Sequence, residues 1–379
     1  MPFQLTSEQE MIRLMAREFA RKELEPHARE WDEKEFFPQP ALKKMGELGL
    51  LGMMVPTEHG GSGVGAVSYS LALQEIAYAC ASTAVTMSVT NLSQDPLLKF
   101  GTEEQIEKYL IPLASGEIIG AFAITEPGAG SDPGSMVMRA EDRGDAYVVN
   151  GTKVFITNGG YAGAIILVAR TGAEKSGRGL TAFIVEPGLP GFSVGRKEDK
   201  MGLRASNTVE LIFDDCRIPR ENLLAKEGQG FKIAMVALDS GRIGIASQSL
   251  GIARACLDEA IQYAKSRRQF GRAIGSFQAL QWMIADMATE IEAAHWLTLN
   301  AADRKDRGLS FTREASMAKL FASEMANRAA YRALQIHGGY GYMKEYKIER
   351  LYRDVRVTAI YEGTSEVQRI VVARESMGG

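Results

Sequence analysis

The sequence predicts an α+β chain in three parts: an N-terminal α-helical domain over residues 1–119, a small central β-sandwich or barrel over 120–225, and a C-terminal four-helix bundle over 226–379. Two changes of pattern predict this. Near Gly120 the helical spacing of apolar residues gives way to strand-length segments divided by turn residues. After Gly228 and Gly230, long stretches rich in Ala, Met and Leu return, broken at Gly271, Gly275 and Gly308. Long helices with short connections read as an antiparallel bundle.

Thr6-Ser-Glu-Gln9 has the form of a capping box, and Met11, Ile12, Met15 and Phe19 follow at helical spacing. Pro38 and Pro40 punctuate before a helix over 41–48. The glycine-rich run 59–65 reads as a mobile surface loop, without a following helix that has a clear role toward an anion. Segments 69–78 and 81–100 are apolar and rich in small residues, as buried, closely packed helices are. Gly101 stops the second of these, and Thr102 to Gln105 caps the next. In the central part, Asn150-Gly151 between 147–149 and 152–156 predicts a hairpin, because Asn-Gly supplies two positive φ angles. Strands follow over 164–170, 180–186, 192–195 and 208–213, a spacing that suits a sandwich or barrel rather than a parallel sheet. The C-terminal helices are expected over 231–266, 278–304 and 312–337.

Composition excludes several classes. Hydrophobic residues make up 45% and charged residues 24%, with a net charge of -3. Nothing in that balance attracts nucleic acid or a membrane surface. No apolar run is long enough to span a bilayer. Met1 to Glu8 lacks the basic stretch and apolar core of a secretory signal, so a cytoplasmic, bacterial-type protein is expected. Cys80, Cys216 and Cys256 stand far apart, and His27, His59, His295 and His337 have no ligand spacing. Neither a disulfide framework nor a metal site is expected.

Two motifs carry chemistry. Thr125-Glu-Pro-Gly-Ala-Gly-Ser131 offers hydroxyls and glycines that let backbone N–H groups approach a flat or anionic ligand. It is not a dinucleotide-binding fingerprint, and it reads also as a tight interdomain loop. The run from Ala359 to Arg369 places Glu362 between apolar residues and Gly363. A carboxylate desolvated there becomes a stronger base. Taken alone, Glu362 reads equally as a base or as a loop residue before a helix capped by Thr364 or Ser365. Lone His337 before a glycine turn reads as structural, and the Met residues of the long helices read as core.

These motifs, joined by Phe155-Ile-Thr-Asn158, Arg267-Arg-Gln-Phe-Gly271 and Gln335-Ile-His-Gly-Gly-Tyr-Gly341 in order along nearly the whole chain, closely resemble the acyl-CoA dehydrogenase family. The resemblance implies FAD as cofactor and Glu362 as the base that takes the α-proton of an acyl thioester. It implies that Phe122, Ile124, Thr125, Gly130 and Ser131 bind the flavin, with Ser131 also near the pantetheine. Phe155, Ile156 and Thr157 would lie against the isoalloxazine, and Thr364, Ser365 and Glu366 would complete its site. Arg267 and Phe270 would reach FAD of a neighbouring subunit, whose adenosine diphosphate part would meet Gln278, Gln335, Ile336, Gly338 and Gly339. Asp239 and Arg242 would meet CoA, and Tyr361 and Gly363 the acyl group.

A free Glu, with a pKa of about 4.3, is too weak a base for a thioester α-proton. Water must be excluded, and the thioester carbonyl must receive hydrogen bonds that stabilise enolate-like charge. The resemblance assigns those bonds to the Glu362 N–H and a ribityl hydroxyl, and the β-hydrogen leaves as hydride to flavin N5. Phe155 stands where many members of the family carry Trp. Some relatives place the base at the position of Gly241, which here has no side chain to serve. The chain is most like the short-chain, butyryl-CoA branch; a branched-chain member or a flavin acyl-CoA oxidase are the alternatives. The family's usual partners are electron-transfer flavoprotein and three further copies, a dimer of dimers.

Overall fold

The computed structural model describes residues 4–172 and 179–378. Met1 to Phe3, part of the segment read for targeting, lie outside them. The N-terminal helices are α1 (Ser7–Phe19), α2 (Ala28–Lys34), α3 (Gln39–Glu47), α4 (Gly65–Ala79), α5 (Ala81–Phe100), α6 (Glu103–Gln105) and α7 (Ile111–Ser115). Then come β1 (Ile119–Ala123), β2 (Arg139–Asp142), β3 (Ala146–Thr157), β4 (Ala162–Arg170), β5 (Leu180–Val185), β6 (Phe192–Lys197), β7 (Thr208–Pro219) and β8 (Leu223–Leu224). The rest is α8 (Gly230–Ser266), β9 (Arg268–Gln269), β10 (Arg272–Ala273), α9 (Gln278–Asp306), α10 (Thr312–His337), α11 (Lys347–Val355) and α12 (Ser365–Ser376).

Local chemistry sets many of these ends. Thr6 and Gln9 exchange side-chain-to-backbone hydrogen bonds of 2.9 and 3.1 Å, and Thr102 and Gln105 repeat the box at the entry to α6. α5 stops at Gly101, and α10 ends at His337 before Gly338 at φ +59°. His337 is buried, bonded to the Ala333 carbonyl at 2.8 Å and stacked on Tyr263.

Strands β1 to β8 form one sheet in the order β6-β7-β3-β2-β4-β5-β8, with β1 beside β4, and β9 and β10 pair as a separate two-stranded ribbon. Most pairings are antiparallel; β1 and, at one residue pair, β2 run parallel to β4. The hairpin expected at Asn150-Gly151 does not form. β3 runs unbroken, and the dipeptide marks a bulge against β7, where the register shifts between Val149 and Gly151. Gly151 alone of the pair has positive φ. Asn150 instead exchanges two bonds with Asp215, of 2.9 and 2.8 Å. A nearby partner strand outweighed the local turn preference.

The 59–65 run also differs from its reading. Ser62 to Val64 are strapped to Gly49 and 52–55 by hydrogen bonds, and a helix does follow. The first N–H groups of α4, on Ala66 and Val67, donate to the Asp306 carboxylate at 2.6 and 3.0 Å. The chain's own anion occupies that helix end.

α4 and α5 pack on α8, so Ala66, Leu71, Val85 and Val89 share one core with Ile243, Leu250, Met287 and Met325 of the C-terminal helices. The sheet holds a core of its own around Tyr147, Leu167, Phe183 and Leu211. No described helix is long and apolar enough to cross a membrane.

Candidate active site

The chain leaves α11 through a short helical turn, Arg356–Ala359, and then bends sharply: Glu362 has φ +54° and Gly363 φ +90°. A left-handed non-glycine residue is strained by roughly 1–2 kcal/mol, so neighbours must hold it. They do. Gln368 Nε2 donates to the carbonyls of Glu362 and Gly363 at 3.2 and 2.9 Å, and Lys319 Nζ donates to the Gly363 carbonyl at 2.7 Å. Thr364 caps α12 by accepting from the Val367 N–H at 3.3 Å.

Glu362 as a residue is half-buried, but its Oε2 has no exposed surface and no hydrogen-bond partner. A Cβ at Gly241 would come within 1.9 Å of that oxygen and 2.5 Å of Leu92 Cδ1, so the carboxylate lies over a bare patch of α8. Burial pushes the Glu362 carboxyl up to about 7, with Lys319 and Arg242 pulling the other way. Lys319 is brought down to about 8 by its own burial, opposed by Glu362. Arg242 is buried, donating to Asp239 Oδ1 at 2.6 Å and Ser316 Oγ at 3.2 Å. Thr312 donates to the other Asp239 oxygen at 2.5 Å. Asp239 and Arg242 thus face each other beneath the base rather than lining an open surface. Burial raises the Asp239 carboxyl.

Along α8, Gly241, Gly244 and Gln248 share a face. A Cβ at Gly244 would meet Ser88 Oγ at 2.3 Å and Tyr69 OH at 2.8 Å. The Tyr361 hydroxyl donates to Gln248 Oε1.

α5 links this pocket to the sheet. Leu92 and Ser88 face α8, while the Thr86 carbonyl accepts from Asn158 Nδ2 at 3.2 Å, and Asn158 also reaches the Gly120 carbonyl at 3.0 Å. Beside Asn158 lies the Thr125 loop. Val154 N–H donates to the Thr125 carbonyl at 2.9 Å. Lys153 and Glu126, both buried, pair at 2.9 Å; Lys153 also donates to the Ile124 carbonyl, and Glu126 accepts from the N–H groups of Val137 and Met138. Thr125 and the 155–157 segment therefore meet at one place, with Gly130 and Ser131 exposed. Phe155, at φ +60°, is 64% exposed. Ile156 turns its side chain into the sheet core, which leaves only its backbone to a ligand, and Phe122 is likewise packed against core. Ser365 is buried and Glu366 exposed at the start of α12.

Arg267, Ile336, Gly338 and Gly339 come together elsewhere, with Tyr263 and Tyr340, around a cavity of about 470 Å³. Gln278 and Gln335 are exposed and absent from that lining, and Phe270, 92% exposed, stands edge-on to Phe277. Arg267 ends α8; at 1.5 Å per residue it lies about 40 Å along the helix from Gly241.

Motif reading missed Lys319, Gln368, and the Glu126–Lys153 pair. Lys319 did carry a signal: it interrupts the small-residue stripe Ala315, Ala318, Ala322, Ala326 on the buried face of α10. No group of three His, Cys, Asp or Glu residues suited to a metal occurs among the described residues.

A helical, sheet, helical chain that desolvates one carboxylate between α5, α8 and α10 belongs to a defined class. Profiles described as the N-terminal, middle and C-terminal domains of acyl-CoA dehydrogenase match residues 6–117, 121–216 and 228–377. The chain belongs to the acyl-CoA dehydrogenase family. Within it, the chain is 50% identical to the short-chain specific acyl-CoA dehydrogenase of Clostridium acetobutylicum, over 98% of this chain and 99% of that one. The solved butyryl-CoA dehydrogenase of Megasphaera elsdenii superimposes with a TM-score of 0.98 at 45% identity, covering all of both chains. A chain from a structure described as the electron transferring flavoprotein of Acidaminococcus fermentans does so at 0.98 and 48%, again over both whole chains.

Proposed function

We propose that the protein dehydrogenates a short-chain acyl-CoA to the trans-2-enoyl-CoA, with Glu362 as the α-proton base. The observation that carries this is the sealed Oε2 of Glu362, raised to about 7 by burial and unpaired by any hydrogen bond. A carboxylate so placed is partly ionised near neutrality and basic enough to take a proton from a bound thioester. The N–H of Glu362 is free of the Gln368 and Lys319 contacts, which engage only carbonyls, and it serves the thioester oxygen.

FAD is the cofactor. The residues fit it: Phe155 offers an exposed aromatic face beside the Thr125 loop, and the backbone at Gly128, Gly338 and Gly339 has open space above it. FAD held there would supply the hydride acceptor for the β-hydrogen. The protein's part is to hold acyl-CoA so that the α-proton meets Glu362, and to exclude water.

The short-chain reading rests on the α8 face. Gln248, closed off by Tyr361, lies about 10 Å along the helix from Gly241, and Ser88 and Tyr69 crowd the turn between. A face closed off so near the base suits a short acyl chain. Electron-transfer flavoprotein is the acceptor, and the likeness to the Acidaminococcus structure supports it. The enzyme works as a cytoplasmic homotetramer. About 40 Å of helix separates the Gly241 and Arg267 sites, so the second takes the far end of FAD from a neighbouring copy.

Glu362→Gln tests the base. The variant is expected to stay yellow and to bind acyl-CoA, while substrate no longer bleaches the flavin. Bleaching at the wild-type rate would remove Glu362 from the reaction.

A further inference from the structure

Lys319 sits in the middle of α10, on a face where Ala315, Ala318, Ala322 and Ala326 are all buried. It is fully buried, and its ammonium reaches the Gly363 carbonyl at 2.7 Å. A buried cation with one neutral acceptor is costly unless an anion faces it. That anion is Glu362. The two groups shift each other, Glu362 favouring the charged lysine and Lys319 the charged carboxylate.

The hydrogen bonds show a second effect. Lys319 from α10 and Gln368 from α12 draw both carbonyls of the left-handed pair beneath the loop. Carbonyl oxygens turned toward the substrate would repel a developing oxyanion; here both are engaged by protein donors. Oε2 of Glu362 accepts no hydrogen bond, so Lys319 acts on it through the field and through the turn, not by contact.

We propose that Lys319 is a positioning residue for proton abstraction, holding the Glu362–Gly363 turn by its carbonyl and supplying the positive charge against which the carboxylate ionises; this rests on Glu362 being the base. The other groups around the pair are accounted for. Arg242 of α8 faces Glu362 but is tied to Asp239. Glu324 of α10 and Glu366 of α12 face Lys319. The Tyr69 hydroxyl of α4 and Tyr361 feel Glu362, and Asp95 of α5, which faces Tyr69, is paired with Lys305 of α9 at 2.8 Å.

The test compares Lys319→Met and Lys319→Gln in the FAD-loaded enzyme. Gln keeps a donor for the Gly363 carbonyl but carries no charge, so it remains informative where Met does not fold. Two readouts are taken against pH: the rate of flavin bleaching by butyryl-CoA, and the infrared difference signal of the Glu362 carboxyl, identified by its absence in Glu362→Gln. Loss of the cation moves the low-pH limb of the rate and the carboxyl titration upward together, by about one pH unit or more. A purely structural lysine predicts a slower enzyme with both titrations in place, and that result in Lys319→Gln overturns the proposal. Bleaching by Glu362→Gln would instead overturn the base assignment, while the infrared titration would still report whether Lys319 and Glu362 are coupled.

Discussion

Glu362 combines a strained backbone with a side chain that needs space, and Gly241 provides that space. A methyl group at Gly241 would have to displace Oε2, 1.9 Å away, or Leu92 Cδ1, 2.5 Å away. The end of a glutamate is flexible, so the carboxylate would move rather than the helix. Glycine within a helix costs about 1 kcal/mol relative to alanine, which offsets part of the crowding. Gly241→Ala is therefore expected to keep its thermal stability within a few degrees while losing activity by about 10²-fold, since an ångström of misplacement at a reacting group has that effect. Stopped-flow bleaching with butyryl-CoA and a melting curve check the two halves. Full activity would mean that the carboxylate works from another position. At this scale the sequence was informative about Glu362, through its flanking motif, and silent about what tunes it. Lys319 stands 43 positions earlier, on a helix whose pattern reads as plain core. Only packing places it under the loop.

Elements were legible where a local signal set their ends. α5 runs from Ala81 to Phe100 and α10 from Thr312 to His337 as their glycine stops suggest, and both capping boxes form. Misreadings fell where a distant segment decided. Asn150-Gly151 became a bulge because β7 runs alongside, and the 59–65 run is ordered by residues on either side of it. The start of α4 is the clearest case, because its cap comes from Asp306, 240 residues away. Gly65, at φ +81°, leaves the space this carboxylate fills; a Cβ there would lie 2.8 Å from Asp306 Oδ1. A carboxylate on two N–H groups at a helix start contributes about 1–2 kcal/mol. Asp306→Ala should lower the unfolding free energy read from urea denaturation by an amount of that order, seen as a lower midpoint at unchanged slope, with Asp306→Asn between Ala and wild type. An unchanged midpoint for Asp306→Ala would show that water caps α4 equally well.

The whole molecule must reconcile two sites that α8 holds apart. Phe155, the Thr125 loop and Glu362 gather at one end, where α5 and the sheet meet α8. Arg267 and its cavity lie at the other end, with Phe270 projecting almost fully into solvent. An aromatic ring exposed to that degree is unusual in a finished surface and suits a contact with a second copy. In a symmetric pair, each FAD site would draw Glu362 from one subunit and Arg267 from the other. That arrangement predicts complementation. Arg267→Ala subunits keep the base but hold FAD weakly; Glu362→Gln subunits hold FAD but lack the base. Co-expressed in equal amounts and assembled at random, they form mixed pairs in which one site has both residues intact. About one quarter of all sites would then be wild type in composition. At an FAD concentration that leaves the Arg267→Ala protein empty, turnover should recover toward that fraction, although each variant alone is inactive. No recovery, with mixed oligomers shown by mass spectrometry, would mean that Arg267 serves its own chain. The far end of the cofactor would then have to be sought within reach of Phe155 on the same subunit.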